Sequence, residues 1–326
     1  MEATYSAWEV RHYGGPDVLS PVTRAMPKPA KSQVLIRIRA SAVSRADTMM
    51  RSGTPKFARL FLGLSKPRAG LVGTCFSGDV VEVGEDVTRF APGEAVFGEA
   101  GLHFGANASH ICLDAESSLV AKPDALSYED SATLFDGAMT SWHFLTRLAQ
   151  IKPGDRLLVL GGSGSLGTAA IQFGVALGAE VTATSSARNA SMLQGLGAAH
   201  TIDYTAQDPL GVGAGYDVIF DTLGVASFAA AKPALAANGR YICPVLSLRL
   251  LCDMIMTGIF GGKRAIFAAA GMEKPAVHLE EQAEILQLVD QDTFAPVIDR
   301  TYPLSDLVEA HHYVETGRKR GNVLVV

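Results

Sequence analysis

Apolar residues follow two different rhythms along the chain. Up to about Lys122, apolar and polar positions alternate in short stretches such as Val34-Leu35-Ile36-Arg37-Ile38-Arg39-Ala40 and Gly78-Asp79-Val80-Val81-Glu82-Val83-Gly84. Period-two alternation suits half-buried strands, and the turn signals Gly14-Gly15-Pro16-Asp17, Pro27-Lys28-Pro29 and Pro92-Gly93 separate them. A β-rich domain of barrel-like or folded-sheet character is expected. Pro123-Asp124 marks the crossing to a second unit, Ser127-Tyr128-Glu129-Asp130 resembles a capped helix start, and Ala132 to Leu148 reads as helical. From Lys152 strands alternate with helices. Strands are predicted at Arg156–Leu160, Glu180–Thr184, His200–Ile202, Tyr216–Phe220, Gly239–Pro244 and Lys263–Phe267, and helices at Ser165–Leu177, Asn189–Leu196, Ala226–Leu235 and Leu248–Thr257. That alternation predicts an α/β fold with a doubly wound parallel sheet. The final sixty or so residues add a helix near Glu280–Asp290, a strand near Pro296–Tyr302, a helix near Leu304–Thr316 and a last strand. They have no core of their own, so they are expected to complete the first domain, giving 1–122 with 268–326 and 123–267.

The first strand of the second unit runs into Gly161-Gly162-Ser163-Gly164-Ser165-Leu166-Gly167, and an Ala/Leu-rich helix follows. Gly162, Gly164 and Gly167 fit G-x-G-x-x-G between a strand and a helix. In that geometry one glycine permits a tight turn, one lets backbone approach a pyrophosphate, and one lets helix and strand pack closely. The helix N-terminus then offers N–H groups and a positive dipole end to phosphate.

The end of the next strand decides the cofactor. Enzymes that use NAD place a carboxylate there to bind the ribose hydroxyls, about 20 residues past the glycine turn. Here Val181-Thr182-Ala183-Thr184-Ser185-Ser186-Ala187-Arg188-Asn189 has none, and Glu180 opens the strand instead of closing it. Ser185, Ser186 and Arg188 suit a 2′-phosphate, because hydroxyls donate and a guanidinium pairs bidentately with phosphate. The same residues could simply cap the next helix; with the glycine turn upstream, NADPH is preferred to NADH. Asp221, ending Tyr216-Asp217-Val218-Ile219-Phe220-Asp221, reads as a helix cap.

Composition narrows the remaining classes. The 326 residues suggest two domains, and 48% hydrophobic with 19% charged residues is globular. A formal net charge of -5 without long single-sign runs gives no expectation of nucleic-acid binding. The one dense basic cluster, Arg318-Lys319-Arg320, reads as a solvated last turn of a helix. No apolar run reaches membrane-spanning length and no leader is visible, so no membrane partner and a cytoplasmic location are expected. Cys75, Cys112, Cys243 and Cys252 are far apart and form no C-x-x-C pair. None of the eight histidines pairs with a cysteine at ligand spacing, and the adjacent His311 and His312 face different sides of a helix. No metal is expected.

Several blocks together resemble the medium-chain dehydrogenase/reductase superfamily, in its zinc-free quinone oxidoreductase-like branch. They are Tyr13-Gly14-Gly15-Pro16-Asp17-Val18-Leu19, the stretch Ala42 to Gly53, the stretch Gly73 to Gly84, Phe90 to Gly98, Ala138-Met139-Thr140-Ser141-Trp142 and the glycine turn. Zinc-dependent relatives carry a cysteine in the block reading Val43-Ser44-Arg45-Ala46-Asp47, and Gly-His-Glu where this chain has Gly73-Thr74-Cys75. The resemblance implies a GroES-like substrate domain, a Rossmann domain, and metal-free hydride transfer from NADPH to quinones or to α,β-unsaturated carbonyl compounds. It places Ser186, Arg188 and Tyr204 around the 2′-phosphate and Thr140 near the nicotinamide. The cofactor set is then Gly162, Ser163, Gly164, Ser165, Leu166, Gly167, Ser185, Ser186, Arg188, Tyr204, Leu223 and Asn322. A homodimer formed through the sheet edge is also implied.

Hydride addition leaves an enolate-like oxygen that needs a donor. Several relatives have a tyrosine within the Asp47–Arg51 block, where this chain has Met49 and Met50, and methionine donates no proton. The catalytic candidates are Ser44, Asp47, Arg51 and Thr140, with Arg45, His103 and Asp136 behind them, although Asp47 and Arg51 could simply pair at i,i+4. Met49, Met50, Phe57, Phe61, Phe76 and Trp142 are candidates for apolar pocket walls, or for ordinary core. An enoyl-thioester reductase and a non-catalytic NADPH-binding protein (structural, RNA-binding or redox-sensing) are the competing readings.

Overall fold

The computed structural model describes residues 3–56, 59–68 and 70–326, with the Phe61 side chain outside that description. They gather into two compact units. One consists of Met1–Asp136, Lys274–Gln282 and Ile298–Val326, the other of Gly137–Glu273 and Ala283–Val297.

The first unit is β-rich, as the alternation predicts. Its strands in chain order are β1 (Thr4–Val10), β2 (Leu19–Ala25), β3 (Gln33–Ala42), β4 (Cys75–Val83), β5 (Ala95–Glu99), β6 (His110–Asp114) and β7 (Leu119–Ala121). β1 and β2 form a separate antiparallel ribbon. β3 pairs antiparallel with both β4 and β6, β4 with β5, and β5 with β7. The C-terminal strand Asn322–Val325 joins the other edge of β3, and Ile298–Tyr302 pairs with it in turn. Inward positions of the alternating runs, Val34, Ile36, Phe76, Val80, Val96 and Leu119, make the core. The chain end returns to this unit as expected: Leu307, Ala310, Val314 and Val323 pack with Trp8 and Val10.

The second unit holds six strands, β8 (Arg156–Leu160), β9 (Glu180–Ser185), β10 (His200–Asp203), β11 (Tyr216–Asp221), β12 (Leu235–Ile242) and β13 (Arg264–Ile266). Their order is β10-β9-β8-β11-β12-β13, and every pairing is parallel. This is the dinucleotide-binding order, with the reversal between β8 and β11. Leu157, Leu158, Val159, Val218, Ile219 and Phe220 are fully buried, as strands covered on both faces require.

Three expectations shift. The compact units divide the chain elsewhere than at 122/123 and 267/268. Residues 123–136 belong with the β-rich unit, where Ser77 Oγ donates to Tyr128 O at 2.6 Å and the Tyr128 hydroxyl donates to Asp79. Residues 283–297 belong with the parallel sheet, where Trp142 Nε1 donates to Glu284 and Gln172 bonds both polar groups of Ala295. The Ala132–Leu148 helix is helix Tyr128–Thr133, followed by wide π-turns at Leu134–Ala138 and Phe144–Leu148 around Met139–His143. Of Ala226–Leu235 only Phe228–Ala231 is helical, because Leu235 already pairs with Tyr216 in the sheet. Tertiary pairing there overrides the helical preference of alanine.

Candidate active site

The glycine turn leads from β8 to helix Ser165–Ala176, and each glycine meets a different constraint. The left-handed residue is Gly161, at φ +83, one position ahead of the G-x-G-x-x-G register. A Cβ on Gly167 would lie 2.2 Å from Gly161 O and 2.6 Å from Gly162 Cα, so this glycine lets the helix seat on the turn. At Gly164 a Cβ would meet only Gly161 O, at 3.8 Å, and the approach is open. Gly164 caps the helix without a side chain, and Thr168 makes the first helical hydrogen bond, to Gly164 O. The N–H groups of Ser165, Leu166 and Gly167 therefore precede the helical ladder, at the helix end whose dipole favours an anion. Ser141 Oγ donates to Leu166 O at 2.8 Å, clamping the segment that carries half-buried Thr140 onto this turn. Leu223 also reaches it, since a Cβ on Gly161 would meet Leu223 Cδ1 at 2.6 Å.

At the carboxyl end of β9 the predicted phosphate residues come together. Ser185 closes the strand, Ser186 is half-buried, and Arg188 lies exposed in the turn Ala187–Asn189. Tyr204 N–H donates to Ser185 O at 3.2 Å, bringing its exposed ring to the same corner. Glu180 opens β9, bonded to His200 at 3.1 Å. Asp203 on β10 pairs opposite Ser185 and is held below its usual range by the Thr205 hydroxyl and N–H, with the Ala187 N–H adding.

Asp221 does not cap a helix, contrary to expectation: Ser227 caps the short helix Phe228–Ala231, and Asp221 holds the turn ahead of it. Its fully buried carboxylate accepts N–H groups from Leu223, Gly224, Val225 and Ala226 and the Tyr241 hydroxyl at 2.8 Å. Thr222 Oγ1 adds a bond to Leu160 O at 2.7 Å. The turn after β11 is thereby fixed beside the glycine turn.

In the β-rich unit the helix Arg45–Ser52 carries three catalytic candidates. Ser44 and Asp47 form a capping box: Ser44 N–H donates to Asp47 Oδ2 at 2.8 Å, and Asp47 N–H to Ser44 Oγ at 3.0 Å. Thr74 Oγ1 lies 3.4 Å from Asp47 Oδ1. Asp47 borders a small crevice of about 30 Å³ lined by Met50, Leu62, Leu71, Val72 and Phe104, room for about two waters. Burial, with the Asp136 charge adding, pushes Asp47 up to about 6. The pairing of β4 with β5 sets Cys75 opposite Glu99. Burial, then Asp136 and Asp47, pushes Glu99 up to about 8, and burial beside the same carboxylates raises the Cys75 thiol.

The i,i+4 pair does not form. Arg51 is fully buried, and its guanidinium donates to Gly14 O and pairs with Glu315, tying the helix to the C-terminal helix Leu307–Glu315. His103 is exposed, Phe76 lies in the β-rich core, and Trp142 packs on Phe173 in the other unit. Phe57 and the Phe61 side chain lie outside the described residues. His311 is buried while His312 is exposed, as their adjacency predicts. Of the basic cluster, Arg318 and Arg320 are exposed as expected, though past the helix that ends at Glu315, while Lys319 is half-buried and its ammonium is pulled below the usual range by lost hydration. Asn322 is buried in the same unit. Glu99 and Lys319 carry no local sequence signal, since their surroundings come from strands distant in the chain.

Among the described residues no group of three or more His, Cys, Asp or Glu side chains is placed to hold a metal ion. No helix there is long and apolar enough to cross a membrane.

Two family models match: the alcohol dehydrogenase GroES-like domain over residues 30–159 and the zinc-binding dehydrogenase model over residues 196–325. The mouse mitochondrial NAD(P)H oxidoreductase RTN4IP1 is 30% identical, covering 98% of this chain and 88% of its own. The 2-methylene-furan-3-one reductase of Solanum lycopersicum is 29% identical over 98% of this chain and 78% of its own. The solved quinone oxidoreductase of Coxiella burnetii superposes with a TM-score of 0.88 at 29% identity, covering 99% of both chains. With its parallel sheet, its GroES-like unit and these relatives, the chain belongs to the medium-chain dehydrogenase/reductase superfamily, in its quinone-oxidoreductase-like branch.

Proposed function

We propose that the protein is a zinc-independent, NADPH-dependent reductase of quinones or of α,β-unsaturated carbonyl compounds. The observation that carries the cofactor choice is the carboxylate-free end of β9, with Ser185, Ser186, Arg188 and Tyr204 at one corner. In this reading the N–H groups of Ser165, Leu166 and Gly167 bind the pyrophosphate, and Ser163 completes the turn. Thr140 and Leu223 flank the nicotinamide end, and Asn322 is carried over from the family resemblance. When bound, NADPH supplies the hydride. Relatives named for a quinone and for a methylene-furanone, whose double bond is conjugated to a carbonyl, support the acceptor classes.

Zinc independence rests on the donor set. The Asp47 carboxylate faces the Ser44 N–H and the Thr74 hydroxyl, and among the described residues no three His, Cys, Asp or Glu side chains gather to hold a metal ion. Ser44 holds Asp47 in place, and Arg51 anchors their helix.

A homodimer and a reducing, cytoplasmic location complete the proposal. β13 leaves the sheet edge open, and beside it helix Leu248–Phe260 exposes Leu248, Ile255, Ile259 and Phe260. The four cysteines are all free.

Following NADPH absorbance with a panel of quinones and enones tests the reading. Oxidation with either class is expected. Tight NADPH binding without oxidation by any acceptor would favour the non-catalytic alternative.

A further inference from the structure

The stretch between helix Arg45–Ser52 and β4 differs in charge from the rest of the chain. The protein has a formal net charge of -5, yet between Asp47 and Asp79 it carries Arg51, Lys56, Arg59, Lys66 and Arg68 and no acidic residue. Arg51 is buried and paired with Glu315, whereas Lys56, Lys66 and Arg68 are exposed. The same stretch turns apolar side chains to solvent: Leu60 is 62% and Leu64 70% accessible. One exposed leucine is ordinary on a protein surface. Two at i,i+4, among cations of one sign, make a face that is both apolar and positive.

The segment is pinned to the β-rich unit, so its leucines are held outward. The Tyr13 hydroxyl donates to Gly63 O at 2.6 Å, Gly63 N–H to Arg59 O at 2.8 Å, and Arg68 N–H to Leu62 O at 2.7 Å. The Arg59 guanidinium lies 4.4 Å over the Tyr13 ring and donates to Gly53 O at 3.0 Å. Leu62 and Pro67 turn the other way and line the crevice beside Asp47 together with Phe104. Just ahead of Phe104, the turn Gly101–His103 presents Leu102, itself 60% accessible. At the far end Leu71 bridges Glu9, whose carboxylate is taken up by Arg11 and Arg24. No acidic charge on these residues is left to offset the lysines and Arg68.

We propose that this face docks the protein on an anionic lipid bilayer, with Leu60, Leu64 and Leu102 as its apolar contacts and Lys56, Lys66 and Arg68 as its cations. Docking at an interface needs no spanning helix: the leucines enter the headgroup boundary while the cations meet lipid phosphates. The acidic remainder of the chain does not prevent this, because at physiological ionic strength charges are screened over about 8 Å. The bilayer senses the face laid against it. The apolar stripe of helix Leu248–Phe260 has different chemistry, with one cation, Arg249, and one carboxylate, Asp253, along its length. It suits another apolar protein surface. The inference is independent of the reductase reading, since binding to lipid is measured without turnover.

Flotation of the protein with phosphatidylcholine vesicles, made with and without phosphatidylglycerol, tests this. Binding to the anionic vesicles should be roughly tenfold or more tighter than to the neutral ones, and should weaken as salt is raised. The double variants Leu60→Asp/Leu64→Asp and Lys66→Gln/Arg68→Gln should each weaken it by roughly tenfold or more. Because all four side chains are exposed, the melting temperature and the mass in light scattering should stay as in the unaltered protein. Failure of the unaltered protein to float with anionic vesicles, equal binding to neutral ones, or double variants that bind as it does would overturn the proposal. A fall in mass in Leu60→Asp/Leu64→Asp would also overturn it, by assigning the face to a second copy of the chain.

Discussion

Glu99→Gln should abolish a pH dependence that one buried carboxyl imposes on the β-rich unit. Glu99 ends β5 opposite Cys75, and its Oε2 lies 4.0 Å from His278 Nδ1 without a hydrogen bond. Burial first, then the Asp136 and Asp47 charges, raise it from 4.5 to about 8. Its folded-state pKa is therefore above its unfolded one, and between the two values the folded protein binds more protons. Stability from this group is complete below pH 4.5 and is lost as pH rises through 8. Each pKa unit is about 1.4 kcal/mol, so the loss from pH 4.5 to 8 comes to about 4 kcal/mol. Glutamine stays neutral at nearly the same volume. Urea unfolding across pH 5 to 9, followed by Trp8 and Trp142 fluorescence, should show the two proteins close at pH 5, with the variant more stable by about 2 kcal/mol or more at pH 8.5. Parallel stability curves would refute the reasoning, because Glu99 would then be ionised in the folded protein.

Arg188→Ala removes a charge-assisted bond to phosphate and should weaken NADPH by roughly 10–100-fold with little effect on NADH; isothermal titration checks it, and equal losses would sink the 2′-phosphate assignment. Gly167→Ala drives a Cβ to 2.2 Å from Gly161 O and should abolish NADPH binding while lowering the melting temperature. Asp221→Asn turns an amide toward a pocket of donors and should cost about 2–4 kcal/mol in urea unfolding. Ile259→Asp should shift the mass in light scattering from dimer to monomer, and an unchanged mass would place the interface elsewhere.

The parallel sheet was legible because buried strands such as Leu157–Leu160 and Val218–Phe220 are continuous apolar runs, and because the glycine turn must follow the first of them. Ser185, Ser186, Arg188 and Tyr204 were legible for the same reason: the end of the second strand lies at a fixed distance from that turn. Gly161 was harder to see, since its left-handed backbone lies outside the motif register. Local patterns say nothing about Arg51, whose partner Glu315 lies 264 residues away. Nor do they place Glu99, buried opposite Cys75 by strand pairing, or Lys319, half-buried just ahead of the last strand. The basic run around Lys319 reads as solvated throughout, whereas only its two arginines are exposed.

The central claim is hydride transfer from NADPH without zinc. Its most direct measurement is kcat/KM for NADPH and for NADH, with a quinone and with an enone, on protein whose zinc content has been determined by elemental analysis and which has been treated with a chelator. The account predicts turnover that favours NADPH and persists in protein without zinc. Stoichiometric zinc whose removal abolishes turnover, or a preference for NADH, would contradict it.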